Sequence, residues 1–172
     1  MLMAPLLRRS WNPRGCTPII RQRTRSHQKV SVIGALCLNG ARDQLHLYFR
    51  LHPQVNITTA EVIGFLKQLS RQVTGHIVLV WDRFNPHRSL KTRSFLGDRP
   101  RLHAFFLPPY APELNPVENF WGHIKTNSMA NTAMYELEAL TNATRHHGRR
   151  IQRSQRLLRA FLEHTPLSLR LK

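Results

Sequence analysis

Two stretches decide the fold of this chain: HIVLVWDRFNPHRS (76–89) and LPPYAPELNPVENFWGHIK (107–125). The first opens with a short apolar run that ends in Asp82, a pattern typical of a buried strand. A helical pattern over about residues 89–96 follows, and then a second apolar run, HAFFL (103–107). Strand, helix and strand in this order predict a right-handed crossover between two parallel strands.

The crossover is expected to bring Asp82 and Glu118 to one edge of a sheet. Asp82 follows the first parallel strand, and the loop that leads to Glu118 follows the second. Parallel strands share an end, and sites in open α/β sheets collect at the carboxyl ends of the strands. We therefore expect the two carboxylates to approach each other, although 35 residues lie between them in sequence.

Two carboxylates at one sheet edge have a recognisable chemistry. They repel each other unless a cation bridges them or one of them takes a proton. Hard oxygen ligands suit Mg²⁺ or Mn²⁺, which keep water ligands and also bind substrate phosphates. A pair of such ions, ~3.5–4 Å apart, activates an attacking oxygen and stabilises the leaving oxygen at phosphorus. The pattern favours a metal-dependent nuclease, though only weakly by itself.

Each carboxylate also has a purely structural interpretation. Asn115, Pro116 and Glu118 occupy the N-cap, first and third positions of a well-formed helix start. An Asp after a strand, such as Asp82, commonly caps the next turn. For Glu118 the two interpretations are compatible, because a helix N-terminus favours the ionised carboxylate that a metal ligand must be.

The charge balance points to a polyanionic partner. The chain has 26 Lys and Arg residues against nine Asp and Glu, a formal net charge of +17. Such an excess makes nucleic acid the default partner, with salt-sensitive binding through phosphates. No apolar run approaches the ~18 residues of a membrane span, so we expect a soluble protein with no membrane partner.

An antiparallel hairpin is expected before the crossover. The stretch VSVIGALCL (30–38) is apolar on both faces, as in a central strand, and Asn39-Gly40 after it is a strong hairpin signal. The next stretch, QLHLYFRL (44–51), alternates, so Leu45, Leu47, Phe49 and Leu51 are expected to face inward.

Helices are expected to flank this sheet. Thr58 and Glu61 form the capping-box pattern of a first helix. Two more helices are expected near the end of the chain, one over about residues 133–146 that stops near Gly148, the other over about residues 152–163. These elements predict an α/β fold with one mixed sheet, the hairpin plus the parallel strands, packed against helices.

Several of these segments together resemble the mariner-type superfamily of DDE transposases, in its bacterial insertion-sequence branch. The segments RRSWNPRGCTP (8–18) and VSVIGAL (30–36) are also similar to the family's, so the resemblance covers nearly the whole chain. The positions that match the family signature are Asp82, His87, Arg88, Ser89, Leu107 to Tyr110, Leu114, Asn115, Pro116, Glu118 and Trp121.

The resemblance implies a ribonuclease-H-like catalytic domain. Asp82 and Glu118 would be the second and third metal-binding acids, holding Mg²⁺ or Mn²⁺, with two ions in the intact site. The implied reaction is nicking at transposon ends, followed by joining of the freed 3′-hydroxyl to target DNA. The implied partner is double-stranded DNA, with a homodimer as an open alternative for assembly. A cytoplasmic, nucleoid-associated location in a bacterium is implied as well.

The chain also departs from the family pattern. The family's first Asp lies upstream of the segment matched by RRSWNPRG, and Asp43, beside a turn, is a poor substitute. We therefore expect an N-terminally truncated catalytic domain that lacks its first strand and its helix-turn-helix region and is inactive alone. A non-catalytic DNA-binding remnant is the alternative. A complete metal nuclease that takes Asp98 or Glu113 as its third acid is a further one.

The expected organisation has three parts. Residues 1–29 form a basic segment that begins the catalytic domain, 30–130 its core, and 131–172 a basic helical extension. A basic cluster between Arg145 and Arg156 is interpreted as a DNA-binding surface. The residues proposed to contact DNA are His87, Arg88, Asn115, Lys125, Arg149, Arg150 and Arg153.

Overall fold

A computed structural model describes residues 6–9, 11–17, 19, 28–132, 134, 136–167, 169 and 171. None of the helices among them is long and apolar enough to cross a membrane. The strands are β1 (Val30–Leu38), β2 (Leu45–Pro53), β3 (Ile77–Trp81) and β4 (Leu102–Phe106). The α-helices are α1 (Thr59–Gln72), α2 (Asn85–Arg88), α3 (Leu90–Gly97), α4 (Pro116–His123), α5 (Leu137–Gln152) and α6 (Gln155–Glu163).

The predicted hairpin is confirmed. Strands β1 and β2 pair antiparallel, with Leu38 opposite Leu45 at the turn end. The loop between the strands is closed by the Asn39 side chain, which donates to the Asp43 carboxylate and accepts from the backbone N–H groups of Asp43 and Gln44. In that loop Arg42, not a glycine, takes the left-handed conformation, with φ of 61°.

The crossover is also confirmed. Strands β3 and β4 pair in parallel, from Ile77 opposite Leu102 to Trp81 opposite Phe106. Before it, α1 begins with the predicted capping box, in which the Glu61 carboxylate accepts from the backbone N–H of Thr58 at 2.8 Å. These local signals therefore set both the pairing and the helix start.

The expected single mixed sheet is not formed by the described strands. They make two separate two-stranded sheets, β1–β2 and β3–β4. Helix α1 joins the two, because its buried Val62 and Leu66 share one apolar cluster with Ile77 of β3 and Ile33 of β1. The two sheets are therefore connected by side-chain packing under α1. No hydrogen bonds between strands link them among the described residues.

The larger core lies on the other side of β1. The inward-facing residues of β2 pack there against α4, α5 and α6, and Leu45 and Leu47 are buried as predicted. Trp121 of α4 crosses β1 at Gly34, where a Cβ atom would lie 3.1 Å from the indole ring. Strand β1 is thus covered on both faces, as its sequence indicates, while Val78 and Val80 of β3 are 65% and 57% exposed.

The predicted helix end near Gly148 is wrong. Gly148 lies inside α5, which continues to Gln152. A Cβ atom there would lie 2.6 Å from Cζ of Phe49 on β2. The glycine therefore permits a close approach of α5 to the sheet and does not terminate the helix. The start expected at about residue 133 is also wrong, since α5 begins at Leu137; residues 133 and 135 themselves are outside the described set.

Candidate active site

Asp82 lies where the parallel strands end, as predicted. The backbone N–H of Leu107 donates to the carbonyl of Trp81, the last residue of β3, at 2.8 Å, which continues the pairing one residue beyond β4. The Arg83 side chain then donates from Nε to the carbonyl of Leu107 at 3.2 Å. The segments leaving β3 and β4 are therefore held together at one edge. Asp82, the first residue after β3, lies at this edge with half of its side chain exposed.

The Asp82 carboxylate is held by one of its two oxygens. Oδ1 accepts from the backbone N–H of Phe84 at 3.0 Å and from Nδ1 of His87 at 2.9 Å. The hydrogen bond from His87 is the main cause that lowers the pKa of Asp82, and the Phe84 N–H adds to it against the opposing effect of burial. Oδ2 has no partner among the described residues, and half of the side chain is exposed. The group is an ionised, oriented carboxylate with one oxygen free.

The side chain of His87 is held by ring stacking as well as by its hydrogen bond to Asp82. The imidazole stacks on Trp81, with 4.4 Å between ring centroids and 8° between planes. Its side chain is only 16% exposed. Because Nδ1 donates to Asp82, only Nε2 is left for the DNA contact predicted from sequence. The neighbouring Arg88 is exposed and has no partner among the described residues.

Ser89 of the His-Arg-Ser motif has a structural task that the sequence did not reveal. It caps α3 by accepting from the N–H of Thr92 at 3.2 Å. The buried Thr92 donates to the carbonyl of Pro86 at 2.7 Å, and Thr59 of α1 donates to Ser89 at 3.1 Å. This hydrogen-bond network stiffens the segment that carries His87. A serine directly before a helical pattern is a signal that could have indicated the cap.

Glu118 lies in the first turn of α4 but does not cap it. Asn115 is the cap, since its side chain accepts from the N–H of Val117 at 3.3 Å. The exposed Glu118 carboxylate has no hydrogen bond or ion pair with any residue that the structure describes. Glu61 offers the direct comparison, because it occupies the same helix position and is bonded back to Thr58. The structural role that the sequence allowed for Glu118 is therefore not observed.

The other residues predicted along α4 differ in whether their side chains already form hydrogen bonds within the chain. The side chain of Asn115 is committed to the helix cap. Lys125 is exposed and without a described partner. Gly122, between them, leaves open space, because a Cβ atom there would have no neighbour within 4 Å. Lys125 belongs to a π-helical turn, Ile124–Ser128, that continues α4.

Asp82 and Glu118 come from different parts of the core. Asp82 belongs to the β3–β4 sheet, whereas α4, which carries Glu118, packs on β1 and α6. Within the described ranges, no group of three or more His, Cys, Asp and Glu side chains is arranged to hold a metal ion. Asp98 and Glu113 are both exposed, and neither joins such a group.

A basic surface covers the outer side of α5. The inner side of this helix is buried through Leu140, Thr144 and Ile151, which turns the arginines outward. Arg149, Arg150 and Arg153 form no ion pair with a carboxylate of the described residues, among which His87 pairs with Asp82. The charge of these three arginines is therefore not neutralised within this part of the chain. Three exposed arginines at the C-terminal end of this surface, here called the α5 arginines, are Arg149, Arg150 and Arg153, of which Arg153 lies one residue beyond α5.

Comparison with curated proteins gives two partial matches. An uncharacterized protein of Sinorhizobium fredii, y4pE/y4sA, is 38% identical over 68 residues, covering 38% of this chain and 47% of that protein. The uncharacterized 39 kDa protein of insertion element IS630 from Shigella sonnei is 28% identical over 91 residues, covering 52% of this chain and 26% of that protein. The alignments thus span less than half of either relative.

Two solved structures share the fold. The Mos1 strand transfer complex matches with a TM-score of 0.64 at 14% identity, over 96% of this chain and 49% of the Mos1 chain. The Mos1 mariner paired end complex with Mn matches with a TM-score of 0.66 at 12% identity and the same coverage. This chain therefore spans about half the length of those it resembles.

The family assignment rests on the sequence itself. The sequence model of the family described as DDE superfamily endonuclease matches residues 3–141, which is most of the chain. This range includes both Asp82 and Glu118. The chain belongs to the DDE superfamily of endonucleases.

Proposed function

We propose that this chain carries two acids of a site for DNA strand cleavage and strand transfer, Asp82 and Glu118. The observation that carries the proposal is the contrast between the two glutamates at helix starts. The Glu61 carboxylate is hydrogen-bonded to Thr58 in its capping box, while the Glu118 carboxylate is exposed and has no partner among the described residues. Its position is thus suited to a ligand outside the chain.

The donor set fits a hard divalent cation. Asp82 presents a free Oδ2 and Glu118 both carboxylate oxygens, and oxygen ligands are those that Mg²⁺ and Mn²⁺ prefer. When bound between such acids, the cation would supply activation of an attacking oxygen and stabilisation of the leaving oxygen at phosphorus. The chain's own contribution is to hold Asp82 ionised through His87 and to leave Glu118 free of internal partners.

We further propose that the two small sheets are parts of one ribonuclease-H-like sheet. Each described sheet has only two strands, and α1 already bridges them through a common apolar cluster. An additional strand carrying the first acid would complete both the sheet and the metal site. On this proposal the chain is inactive alone, because no group of three or more His, Cys, Asp and Glu side chains among its described residues is arranged to hold a metal ion.

DNA binding without cleavage is the second candidate function. The uncompensated positive charge and the α5 arginines favour it, because phosphate contacts need no catalytic acid. Within the first proposal the same arginines hold DNA, together with Arg88, Lys125 and the free nitrogen of His87. We also propose that the chain assembles as a homodimer and binds transposon-end and target DNA. The similar Mos1 structures, a strand transfer complex and a paired end complex, support this proposal.

Cation binding separates the two candidates. Mn²⁺ binding to the full chain is measured by electron paramagnetic resonance for the unmodified protein and for Asp82→Asn, Glu118→Gln and Glu61→Gln. The two site variants are expected to lose most of the bound Mn²⁺, while Glu61→Gln, which removes a glutamate from the same helix position, keeps it. Equal Mn²⁺ binding by all four proteins would overturn the metal proposal and leave the DNA-binding candidate.

Plasmid nicking tests the proposed inactivity. The chain alone in Mg²⁺ is expected to leave supercoiled DNA intact. Nicking that disappears in both Asp82→Asn and Glu118→Gln would show a complete nuclease, contrary to the proposal.

The α5 arginines are tested by salt dependence. Arg150→Gln is expected to weaken binding of duplex DNA at low salt. It should also reduce the slope of log K against log salt concentration by about 0.9, the effect of one phosphate contact. An unchanged slope for substitutions at Arg149, Arg150 and Arg153 would place the DNA on another surface.

A further inference from the structure

Asn131, in the chain beyond α4, forms three hydrogen bonds with the N-terminal segment. The backbone N–H of Asn131 donates to the carbonyl of Leu6 at 3.0 Å, and its side chain both accepts from the N–H of Arg8 at 2.8 Å and donates to the Arg8 carbonyl at 2.9 Å. Asn131 takes the left-handed conformation, with φ of 57°, which asparagine tolerates better than most residues. The segment is thereby held in one register against the π-helical turn.

This docking borders an open surface cavity of about 590 Å³, here called the Arg8–Arg9 cavity. Its volume lies within the ~300–1,000 Å³ typical of ligand sites. Two arginines and no acid contribute to it, so an anion is the ligand its charge favours. The cavity is lined by Arg8, Arg9, Thr126, Asn127, Ala130 and Asn131.

The two arginines retain donors for such an anion. Nη1 of Arg8 donates to the carbonyl of Thr126 and to Oδ1 of Asn127, both at 3.2 Å, which orients the guanidinium. Its Nε and Nη2 hydrogens have no partner among the described residues. The Arg9 side chain has none at all within that part of the chain. Planar guanidinium groups with free N–H donors match the geometry of phosphate oxygens.

The opposite wall of the cavity is fixed by the core. The π-helical turn Ile124–Ser128 is anchored by Ile124, which is fully buried, and by Met129, whose N–H donates to the Ile124 carbonyl at 2.9 Å. Thr126 donates its hydroxyl to the carbonyl of Gly122 at 2.8 Å. Single π turns inside helices often mark functional sites. Here the turn presents the Thr126 carbonyl and Asn127 to Arg8.

The cavity stands in a defined relation to Glu118. Glu118, Gly122 and Thr126 follow one another at four-residue spacing, so they lie along one side of the same helix. Eight residues of helix span about 12 Å. Gly122, between the two ends, adds no side chain to this path. Phosphates of one DNA strand advance about 3.4 Å along the axis per nucleotide, so 12 Å corresponds to roughly three to four nucleotides.

We propose that the Arg8–Arg9 cavity binds a backbone phosphate of the DNA strand whose reacting phosphate lies at Glu118, roughly three to four nucleotides away. The identity of the strand rests on the proposed function, whereas the phosphate site itself does not. Arg9 is the principal donor, and Arg8 donates after being oriented by the π-helical turn. The N-terminal segment is then part of the DNA-binding surface and fixes where the strand enters the site.

The test compares two arginines of the same segment. Arg9→Gln removes a cavity donor without touching the Asn131 contacts, whereas Arg14→Gln removes an exposed arginine that does not line the cavity. Binding of the chain to a labelled 20-base-pair duplex is followed by fluorescence anisotropy over a range of KCl concentrations. The buffer contains EDTA, so that failure of the metal proposal cannot affect the result.

The expected result is a selective loss in Arg9→Gln. The slope of log K against log salt concentration should fall by about 0.9 in Arg9→Gln. The slope for Arg14→Gln should stay close to that of the unmodified protein. Equal losses in the two variants would indicate a diffuse cationic field and overturn the site. An unchanged slope in Arg9→Gln would also overturn it.

Chemical protection gives a second measurement that needs no variant. Arg8 and Arg9 of the unmodified chain are modified with phenylglyoxal, and the extent at each arginine is read by peptide mass spectrometry. Duplex DNA is expected to reduce modification of Arg9 at least fivefold and that of Arg14 by less than twofold. Inorganic phosphate at the same phosphate concentration should protect neither. Equal protection of Arg9 by inorganic phosphate would identify a free-anion site and contradict the DNA assignment.

Discussion

His87 donates from Nδ1 to Oδ1 of Asp82 across 2.9 Å while its ring lies 4.4 Å from that of Trp81, the last residue of β3. One imidazole thus connects the acid to the strand that precedes it. The contact also aligns Asp82, because its other Oδ1 partner, the Phe84 N–H, approaches from the same turn. Asp82 is therefore oriented before any cation or DNA arrives.

Loss of this imidazole is expected to raise the pKa of Asp82. His87→Ala removes the hydrogen bond that is the main cause of the lowered pKa of Asp82. Burial, which raises this pKa, still acts in the variant. The Asp82 carboxyl carbon, followed by NMR in ¹³C-labelled protein, should titrate at higher pH in the variant than in the unmodified chain. His103→Ala, at the opposite end of the β3–β4 sheet, serves as the control and should leave the Asp82 titration in place. An unshifted Asp82 in His87→Ala would contradict the assignment.

The same contact predicts a pH dependence of stability. Because the pKa of Asp82 is lower in the folded state than the ~3.9 of a free side chain, its contribution is present above that value. The contribution is lost as the pH falls through the lower folded-state value. The stability difference between the unmodified chain and Asp82→Asn, from urea unfolding, should therefore be larger at pH 6 than at pH 3. A difference that grows toward low pH would mean that the sign is wrong.

The helix starts of α1 and α4 should respond differently to loss of their glutamates. Glu61→Gln weakens a formed capping box, whereas Glu118→Gln breaks no described contact. Asn115→Ala removes the cap of α4 and should cost about 1 kcal/mol in the free energy of unfolding. Urea unfolding should rank the variants, with Glu118→Gln closest to the unmodified protein. A loss in Glu118→Gln as large as that in Asn115→Ala would reveal a structural role for this carboxylate.

Local sequence signals predicted several elements of the fold, whereas the assignment of Asp82 and Glu118 as metal ligands stays a prediction. The hairpin, the parallel crossover and the start of α4 follow from alternation, strand–helix–strand order and an Asn-Pro cap, all encoded within a few residues. Contacts between distant segments could not be predicted. The Phe49 ring that requires Gly148 lies on another element, and Arg8 meets Asn131 across 123 residues. The separation of the two sheets likewise depends on packing under α1 and not on any local pattern.

The two cysteines should report on the integrity of β1. Burial raises the pKa of the Cys37 thiol to about 11, while Cys16 is exposed. At pH 8 only about one Cys37 thiol in a thousand is ionised, and the thiolate is the reactive form. Ellman's reagent should therefore modify one thiol rapidly and the second only after unfolding in guanidinium chloride. Cys16→Ser should abolish the rapid phase, and a rapid phase of two thiols in the folded chain would show that β1 is open.

The close approach of α5 to β2 should make Gly148 intolerant of a methyl group. Gly148→Ala places Cβ against the Phe49 ring, which is itself packed against Phe120 with 6.0 Å between centroids. Overpacking of this kind costs about 1–3 kcal/mol in the free energy of unfolding. Gly122→Ala is the matched helical control, because its Cβ meets no atom within 4 Å, and it should gain up to about 1 kcal/mol.

A second substitution identifies the clash as the cause of that loss. Phe49→Leu, which shortens the ring side chain, should restore part of the stability lost in Gly148→Ala, giving a favourable coupling energy in a double-mutant cycle. Urea unfolding of the four proteins of the cycle measures this coupling. Additive losses would mean that Gly148 is required for another reason, and a neutral Gly148→Ala would show that α5 lies farther from β2 than the 2.6 Å approach of its Cβ indicates.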